Sequence, residues 1–262
     1  MKVVTFLTDF GEKDTYVAEM KGVILGITRD VKIVDITHQV TPHSVEEGAF
    51  LLLTAVPYFP QGTIHVAVVD PGVGTERKGI IVKTRVCTLV GPDNGLLIPV
   101  AKKLGDFKVF EIINKKYMLP SITHTFHGRD VFAPVAAYLA KGVDAGDIGR
   151  ETKSYLHHDF DAVRKVDGRI TGRVVHIDRF GNVVTNIDGD IVLRYLRYGG
   201  KTWFSVSNKK HRAPFVKAYG FVEKNETLLT VGGTGFLELS INQGNAAEKL
   251  NVKTGDSVTL FL

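Results

Sequence analysis

Residues Lys2 to Thr37 read KVVTFLTDFGEKDTYVAEMKGVILGITRDVKIVDIT, and this stretch decides the fold class. KVVTFLTD has the apolar character of a strand. From Tyr16 to Ile27 the period changes, with Val17, Met20, Val23, Ile24 and Ile27 on one helical face. VKIVDIT then returns to a strand. A strand, a helix and a second strand in this order predict a βαβ unit, whose two strands lie parallel in one sheet.

The pattern continues outward. Ser44 and Glu47 form a capping box that opens a helix through GAFLLLTAVPYF. Strands TIHVAVVD, GIIVKTRV and CTLVG follow, then a helix after PDNG, strand FKVFEII, and helix RDVFAPVAAYLAKG stopping at Gly142. From about Val166 the chain turns to short alternating strands: GRITGRVVHID, GNVVTNID, TWFSVS, ETLLTVGG, FLELSIN and DSVTLFL. The expected architecture is α/β: an N-terminal α/β sandwich-type domain with a largely parallel sheet over residues 1–160, and a C-terminal all-β, barrel-like domain over 167–262. The polar segment Tyr155 to Gly168 is read as the linker.

Composition excludes several classes. Hydrophobic residues make up 44% of the 262, and charged residues 23%, which are globular averages, and no apolar run approaches the roughly 20 residues of a membrane span. The start, MKVVTFLTDFG, has none of the regions of a secretory signal, so a cytoplasmic location with no membrane partner is expected. Cys87 is the only cysteine, which rules out an internal disulfide and any multi-cysteine metal site, and it reads as a buried strand residue. The formal charge of +5 is spread over scattered lysines and arginines, with short clusters such as NKKHR at Asn208 to Arg212, so a solvated surface is expected and nucleic acid is not.

Ligands of open α/β sheets bind beyond the carboxyl ends of strands. Three acids are read at such exits: Asp9, Asp35 and Asp70. In VVDPGVGTERKG, Pro71 fixes a dihedral while Gly72 and Gly74 permit a tight reversal, so Asp70 and Arg77 fold back toward one another. From the residues alone, a hairpin turn with a surface ion pair explains this segment equally well. The second candidate is HTFHGRD, where Phe126 offers an aromatic wall beside His127 and Gly128 allows close backbone approach. Two nearby histidines without a third ligand at zinc spacing do not make a metal site.

TDFG with Asp14 after it, VTPHSVEEGA, VVDPGVGTERKG, GPDNG, TFHGRD, FGNVVTNI and GNAAEKLNVKTGD occur in this order. Together they resemble the S-adenosylmethionine (SAM) hydroxide adenosyltransferases, adenosine-forming SAM hydrolases related to the fluorinating and chlorinating SAM enzymes. The resemblance spans nearly the whole chain. It implies attack of water on the ribose 5′ carbon, giving adenosine and methionine without a metal or cofactor, through a triad at Asp70, Arg77 and His127.

By the same resemblance Asp9 holds the ribose hydroxyls, Asp14 and Asp178 approach the methionine ammonium, and Asn182 recognises adenine. Phe180 is placed to stack on the base and His43 to wall the pocket. Phe236 and Glu238, on one face of FLELSIN by strand alternation, are further candidates. The family further implies a homotrimer with inter-subunit active sites. Asp70 and His127 stand where the halogenating relatives have tyrosines, which favours water over halide. Val184 stands where those enzymes have a stacking tryptophan, and Gly233, Thr234 and Gly235 where relatives carry more polar side chains. A SAM-dependent halide transferase and a non-catalytic SAM- or nucleoside-binding module are the alternative readings.

Overall fold

The computed structural model describes residues 1–157, 163–207 and 209–262. The chain divides into two compact units, Met1–His158 and Asp159–Leu262. Residues 158–162 of the expected linker, and Asn208 of the NKKHR cluster, lie outside the described residues.

In the first unit β1 (Lys2–Thr8), α1 (Tyr16–Ile27) and β2 (Val31–Thr37) form the expected βαβ unit, with Val4 opposite Ile33 in parallel register. After α2 (Val45–Ala55) come β3 (Ile64–Val68), β4 (Gly79–Thr84) and β5 (Thr88–Pro92), then α3 (Ile98–Leu104) and β6 (Phe107–Ile112). The unit ends with α4 (Ala133–Ala140), α5 (Ala145–Ile148) and β7 (Gly149–Thr152). Strand order is β2-β1-β3-β5-β4-β6-β7. The first four strands run parallel, and β4, β6 and β7 extend the sheet antiparallel. β3 is buried along its whole length, as a central parallel strand covered on both faces must be. Met20 and Ile24 of α1 pack with Val4, Phe6 and the alanines of α4 in one core.

Two expectations change here. Asp35 lies inside β2 rather than at its exit, because the strand runs on to Thr37, and its carboxylate is taken by Lys21 and His38. The capping box is half made: Ser44 Oγ accepts from Glu47 N at 3.4 Å, but Glu47 Oε2 accepts from Thr41 N at 2.9 Å.

The second unit contains β8 (Arg164–Val166), β9 (Arg169–Ile177), β10 (Val183–Asp188), α6 (Gly189–Leu193), β11 (Lys201–Val206) and β12 (Lys209–Pro214). β13 (Thr227–Val231), β14 (Phe236–Ile241), α7 (Ala246–Leu250) and β15 (Ser257–Phe261) complete it. The strands pair antiparallel in the order β12-β11-β15-β9-β10-β14-β13, with β8 on β9. A bridge between Phe215 and Leu229 brings the two ends of this path together, so the sheet is nearly a barrel. Its interior holds Val174, Ile187, Phe204, Phe215 and Leu239. Among the described residues no helix is long and apolar enough to cross a membrane.

Candidate active site

β3 ends at Val68, and the chain leaves the sheet through a tight reversal. Val73 N donates to Asp70 O at 3.2 Å, and Thr75 Oγ1 donates to Gly72 O at 2.7 Å. Gly74 has φ +76°, and a Cβ on it would lie 1.9 Å from the His124 carbonyl oxygen. Only glycine therefore lets this turn touch the loop that carries His127. The GPDNG loop clamps the turn at both ends: Asn94 Nδ2 donates to Val69 O, and Asp93 N to Lys78 O, each at 2.8 Å.

The reversal lays Arg77 across Asp70. Nε donates to Oδ1 at 3.1 Å and Nη2 to Oδ2 at 2.5 Å, a two-pronged pair with side chains only 8% and 5% exposed. This is not the surface ion pair of the alternative reading: removing one partner of so buried a pair costs about 3–5 kcal/mol. Nη1 is held by Lys78 O at 3.0 Å, and the guanidinium lies 5.4 Å from the Phe132 ring centroid. Burial raises the Asp70 carboxyl above its ordinary value, and this outweighs the opposing charge and hydrogen bonds of Arg77.

His127 sits immediately before a π-helical turn, Gly128–Phe132, that runs into α4; the sequence pattern predicts a plain helix from Arg129. The wider turn matters because π-turns re-aim side chains at functional sites. His127 Nδ1 lies 3.1 Å from Arg77 Nη2. A guanidinium has no acceptor, so Nδ1 accepts, the ring is neutral, and its proton is on Nε2. Burial, then the Arg77 charge, lowers the His127 pKa below 6.5, against the pull of Asp70 and Asp130. Arg77 thus holds both a carboxylate of raised basicity and an imidazole whose N–H points away from it.

Around this group the first unit places the other expected residues. Asp9 follows β1, half-buried, and its Oδ2 accepts from the backbone N of His43 at 2.9 Å. His43 has φ +68° and an exposed ring, so here its contact with Asp9 is through the backbone. Asp14 is exposed and, among the described residues, makes no hydrogen bond; Thr15 is the N-cap residue that precedes α1. Phe126 is buried against Phe10 and Tyr16, with ring centroids 5.8 and 5.1 Å away, and Gly128 lies against Met20. Phe10 and Tyr16 were not singled out from sequence, although aromatics flanking an exit acid carry that signal.

In the second unit a cleft of about 700 Å³ is lined by Asp178, Phe180, Asn182, Tyr219, Gln243 and Asn245, among others. Asp178 Oδ1 accepts from Phe180 N and Asn182 N, and Oδ2 from Asn182 Nδ2. The carboxylate therefore builds the turn and at the same time orients the Asn182 amide. Gly181, φ +81°, is packed so closely that a Cβ would sit 2.0 Å from Asn245 Oδ1. This contact joins FGNVVTNI to GNAAEKL. Phe180 is 70% exposed at the mouth.

Phe236 and Glu238 are buried in β14 and do not line the cleft. Glu238 Oε1 accepts instead from Tyr219 OH at 2.8 Å and Ser240 Oγ at 2.6 Å. Tyr219, which sequence reasoning missed, carries the aromatic wall, and burial with the Glu238 bond pushes its phenol pKa up. Val184 is buried in β10, between His176 and Glu238. Among the described residues no group of three or more His, Cys, Asp or Glu has the arrangement of a metal site.

Comparison with known proteins identifies the family of the whole chain. The model of the SAM hydroxide adenosyltransferase N-terminal domain matches residues 4–149, and that of the C-terminal domain residues 172–259. The chain is 41% identical to an (R)-S-adenosyl-L-methionine hydrolase from Methanocaldococcus jannaschii, over 100% of this chain and 96% of that protein. A fluorinase from an Actinoplanes species is 26% identical over 98% and 97%. The crystal structure of an uncharacterized conserved protein from Thermotoga maritima superposes with a TM-score of 0.94 at 38% identity, covering 99% of this chain and 100% of that one. The chain belongs to the SAM hydroxide adenosyltransferase family.

Proposed function

We propose that the protein hydrolyses S-adenosyl-L-methionine at the ribose 5′ carbon, releasing adenosine and L-methionine. The observation that carries this reading is the shared guanidinium of Arg77, which holds Asp70 and His127 at one small site. In-line attack forms the O–C5′ bond as the C5′–S bond breaks. The bonding pair goes to sulfur, and methionine leaves as a neutral thioether that needs no acid.

The demand is on the nucleophile. Asp70 is the proton acceptor in this reading: burial raises its basicity, and its oxygens keep lone pairs beyond those used by Arg77. The His127 Nε2–H donates to the oxygen as hydroxide character develops, and Arg77 offsets the charge that accumulates. Hydroxide and sulfonium neutralise one another in the transition state, so apolar surroundings such as Phe126 and Phe132 favour the reaction. Asp9, Asp14, Asp178, Phe180 and Asn182 take the binding roles that the resemblance assigns them. The hydrolase relative is named for the (R) epimer, and we assign that sulfonium configuration to the substrate here. A homotrimer with inter-subunit sites belongs to the same proposal, and light scattering of the purified protein tests it.

Incubation with each SAM epimer in oxygen-18 water tests the chemistry. Label in the adenosine 5′ hydroxyl, faster with the (R) form and lost in Asp70→Ala and His127→Ala, is the expected result. Unlabelled adenosine would refute hydrolysis at C5′, and halogenated adenosine formed with chloride or fluoride would turn the assignment to a halide transferase.

A further inference from the structure

His127 shares its loop with a buried carboxylate, Asp130, which bonds to Thr123 and Arg129 rather than to the triad's guanidinium. Asp130 is fully buried. Its Oδ2 accepts from Thr123 N at 2.8 Å and Thr123 Oγ1 at 2.6 Å, and its Oδ1 from Arg129 Nε at 2.7 Å. Its carbonyl accepts from Leu119 N, and its own N donates to Phe126 O. These bonds join Thr123 to Asp130 and make an arch of the residues between them. His127 is on that arch, and so is the His124 carbonyl that faces Gly74.

The arch is also tied sideways. Arg129 Nη1 donates to Glu19 Oε2 on α1 at 2.8 Å, and Glu19 Oε1 accepts the Thr15 hydroxyl at 2.7 Å. The Arg129 guanidinium lies 5.0 Å from the centroid of Phe126. A buried carboxylate is costly to desolvate unless its lone pairs are filled. Here three donors converge on it, and all three come from the arch itself. An apolar residue would fill the space at less cost, whereas a carboxylate fixes where the arch closes.

We propose that Asp130 is a positioning residue for His127: it closes the Thr123–Asp130 arch so that Nδ1 meets Arg77, while Arg129 and Glu19 brace the arch against α1. The inference rests on the hydrolase reading for its kinetic consequence but not for its spectroscopic one. In Asp130→Asn the amide replaces one acceptor by a donor facing Arg129, so the arch loosens without losing volume.

The experiment compares wild type, Asp130→Asn, Thr123→Val and Thr123→Ser by SAM turnover and by nitrogen-15 NMR of the His127 ring. The NMR titration is interpreted against the ionisable groups whose fields reach the ring: Arg77, Asp70, Asp130 and His124. Expected for Asp130→Asn is a kcat lower by about 10–100-fold, a KM within about twofold, and His127 signals that leave the single Nε2–H form. Thr123→Val shows part of the effect, and Thr123→Ser, which keeps both bonds, behaves as wild type. The proposal is overturned if Asp130→Asn loses activity only in proportion to its unfolded fraction with His127 signals unchanged. Should that variant not fold, unchanged His127 signals and kcat in Thr123→Val overturn it equally. A wild type that leaves SAM intact refutes the hydrolase reading alone, since the ring signals still report on the arch.

Discussion

Gly74→Ala tests whether the site depends on contact between two loops. The Gly74 Cα faces the His124 carbonyl so closely that the new methyl would lie 1.9 Å from the oxygen, against 3.4 Å for the start of ordinary contact. The two backbones must part by about 1.5 Å to relieve it. Displacement of a reacting group by about 1 Å costs roughly 100-fold in rate, and His127 is three residues from the contact, so kcat should fall by at least about 100-fold. The positive φ adds about 1–2 kcal/mol of strain, which for a unit of this size lowers the melting temperature by roughly 2–8 °C. The assay is adenosine release at 25 °C, with circular dichroism showing that the variant remains folded. Gly72→Ala is the control, because its Cβ would meet nothing nearer than 3.6 Å and its φ is ordinary. If Gly74→Ala keeps a third of wild-type kcat, the two loops do not register the triad and the reasoning is wrong.

Arg77→Lys keeps the charge but replaces a fork by a point donor, so the link to His127 is lost; kcat should drop about 100–1,000-fold in single-turnover measurements, with SAM affinity little changed. Activity needs Asp70 ionised, and its pKa is raised above 3.8; it also needs His127 neutral, and that pKa is lowered below 6.5. Both conditions fail on acidification, so kcat/KM should fall as the pH is lowered, with the His127 part of the fall lying below pH 6.5, and a profile that instead rises toward acid would exclude a neutral His127. Gly181→Ala places a methyl 2.0 Å from Asn245 Oδ1 and should raise KM for SAM by about tenfold or more with a smaller effect on kcat, as initial rates will show. Cys87 is buried, which pushes its thiol pKa up, so treatment of the native protein with N-ethylmaleimide should leave turnover unchanged.

The first unit was legible wherever burial imposed a period. Tyr16–Ile27 and Val31–Thr37 fall at the bounds that their apolar faces predict, because α1 and β2 each have a covered side. β12, KKHRAP, was missed for the opposite reason: half of its side chains, Lys209, Lys210 and Arg212, are charged and solvent-facing, and the ladder to β11 forms through backbone groups that leave no mark in hydropathy. The same holds for β8, all three residues of which are exposed. Turn chemistry was the other readable signal, and it led from Pro71, Gly72 and Gly74 to a correct meeting of Asp70 with Arg77. It failed at Asp35, where an acid near a strand end is part of the strand.

Contacts that depend on two distant side chains remained hidden. Strand alternation put Glu238 on a definite face of β14, but not that the Tyr219 phenol, from a short turn nineteen residues earlier, would take up its carboxylate. The consequence runs from core to cleft. Burying Glu238 unpaired would be costly, and one of its donors is the hydroxyl of Tyr219, so a residue chosen by alternation touches a side chain that lines the cleft and does not line it itself. The arch around His127 follows the same logic: Asp130 is satisfied by Thr123 and Arg129, and the imidazole is aimed as a result. In both places a buried carboxylate is bonded into the structure around a neighbour, one that lines the cleft and one that meets Arg77. Sequence patterns find the neighbour's loop or the carboxylate's strand, and only the three-dimensional pairing shows that one depends on the other.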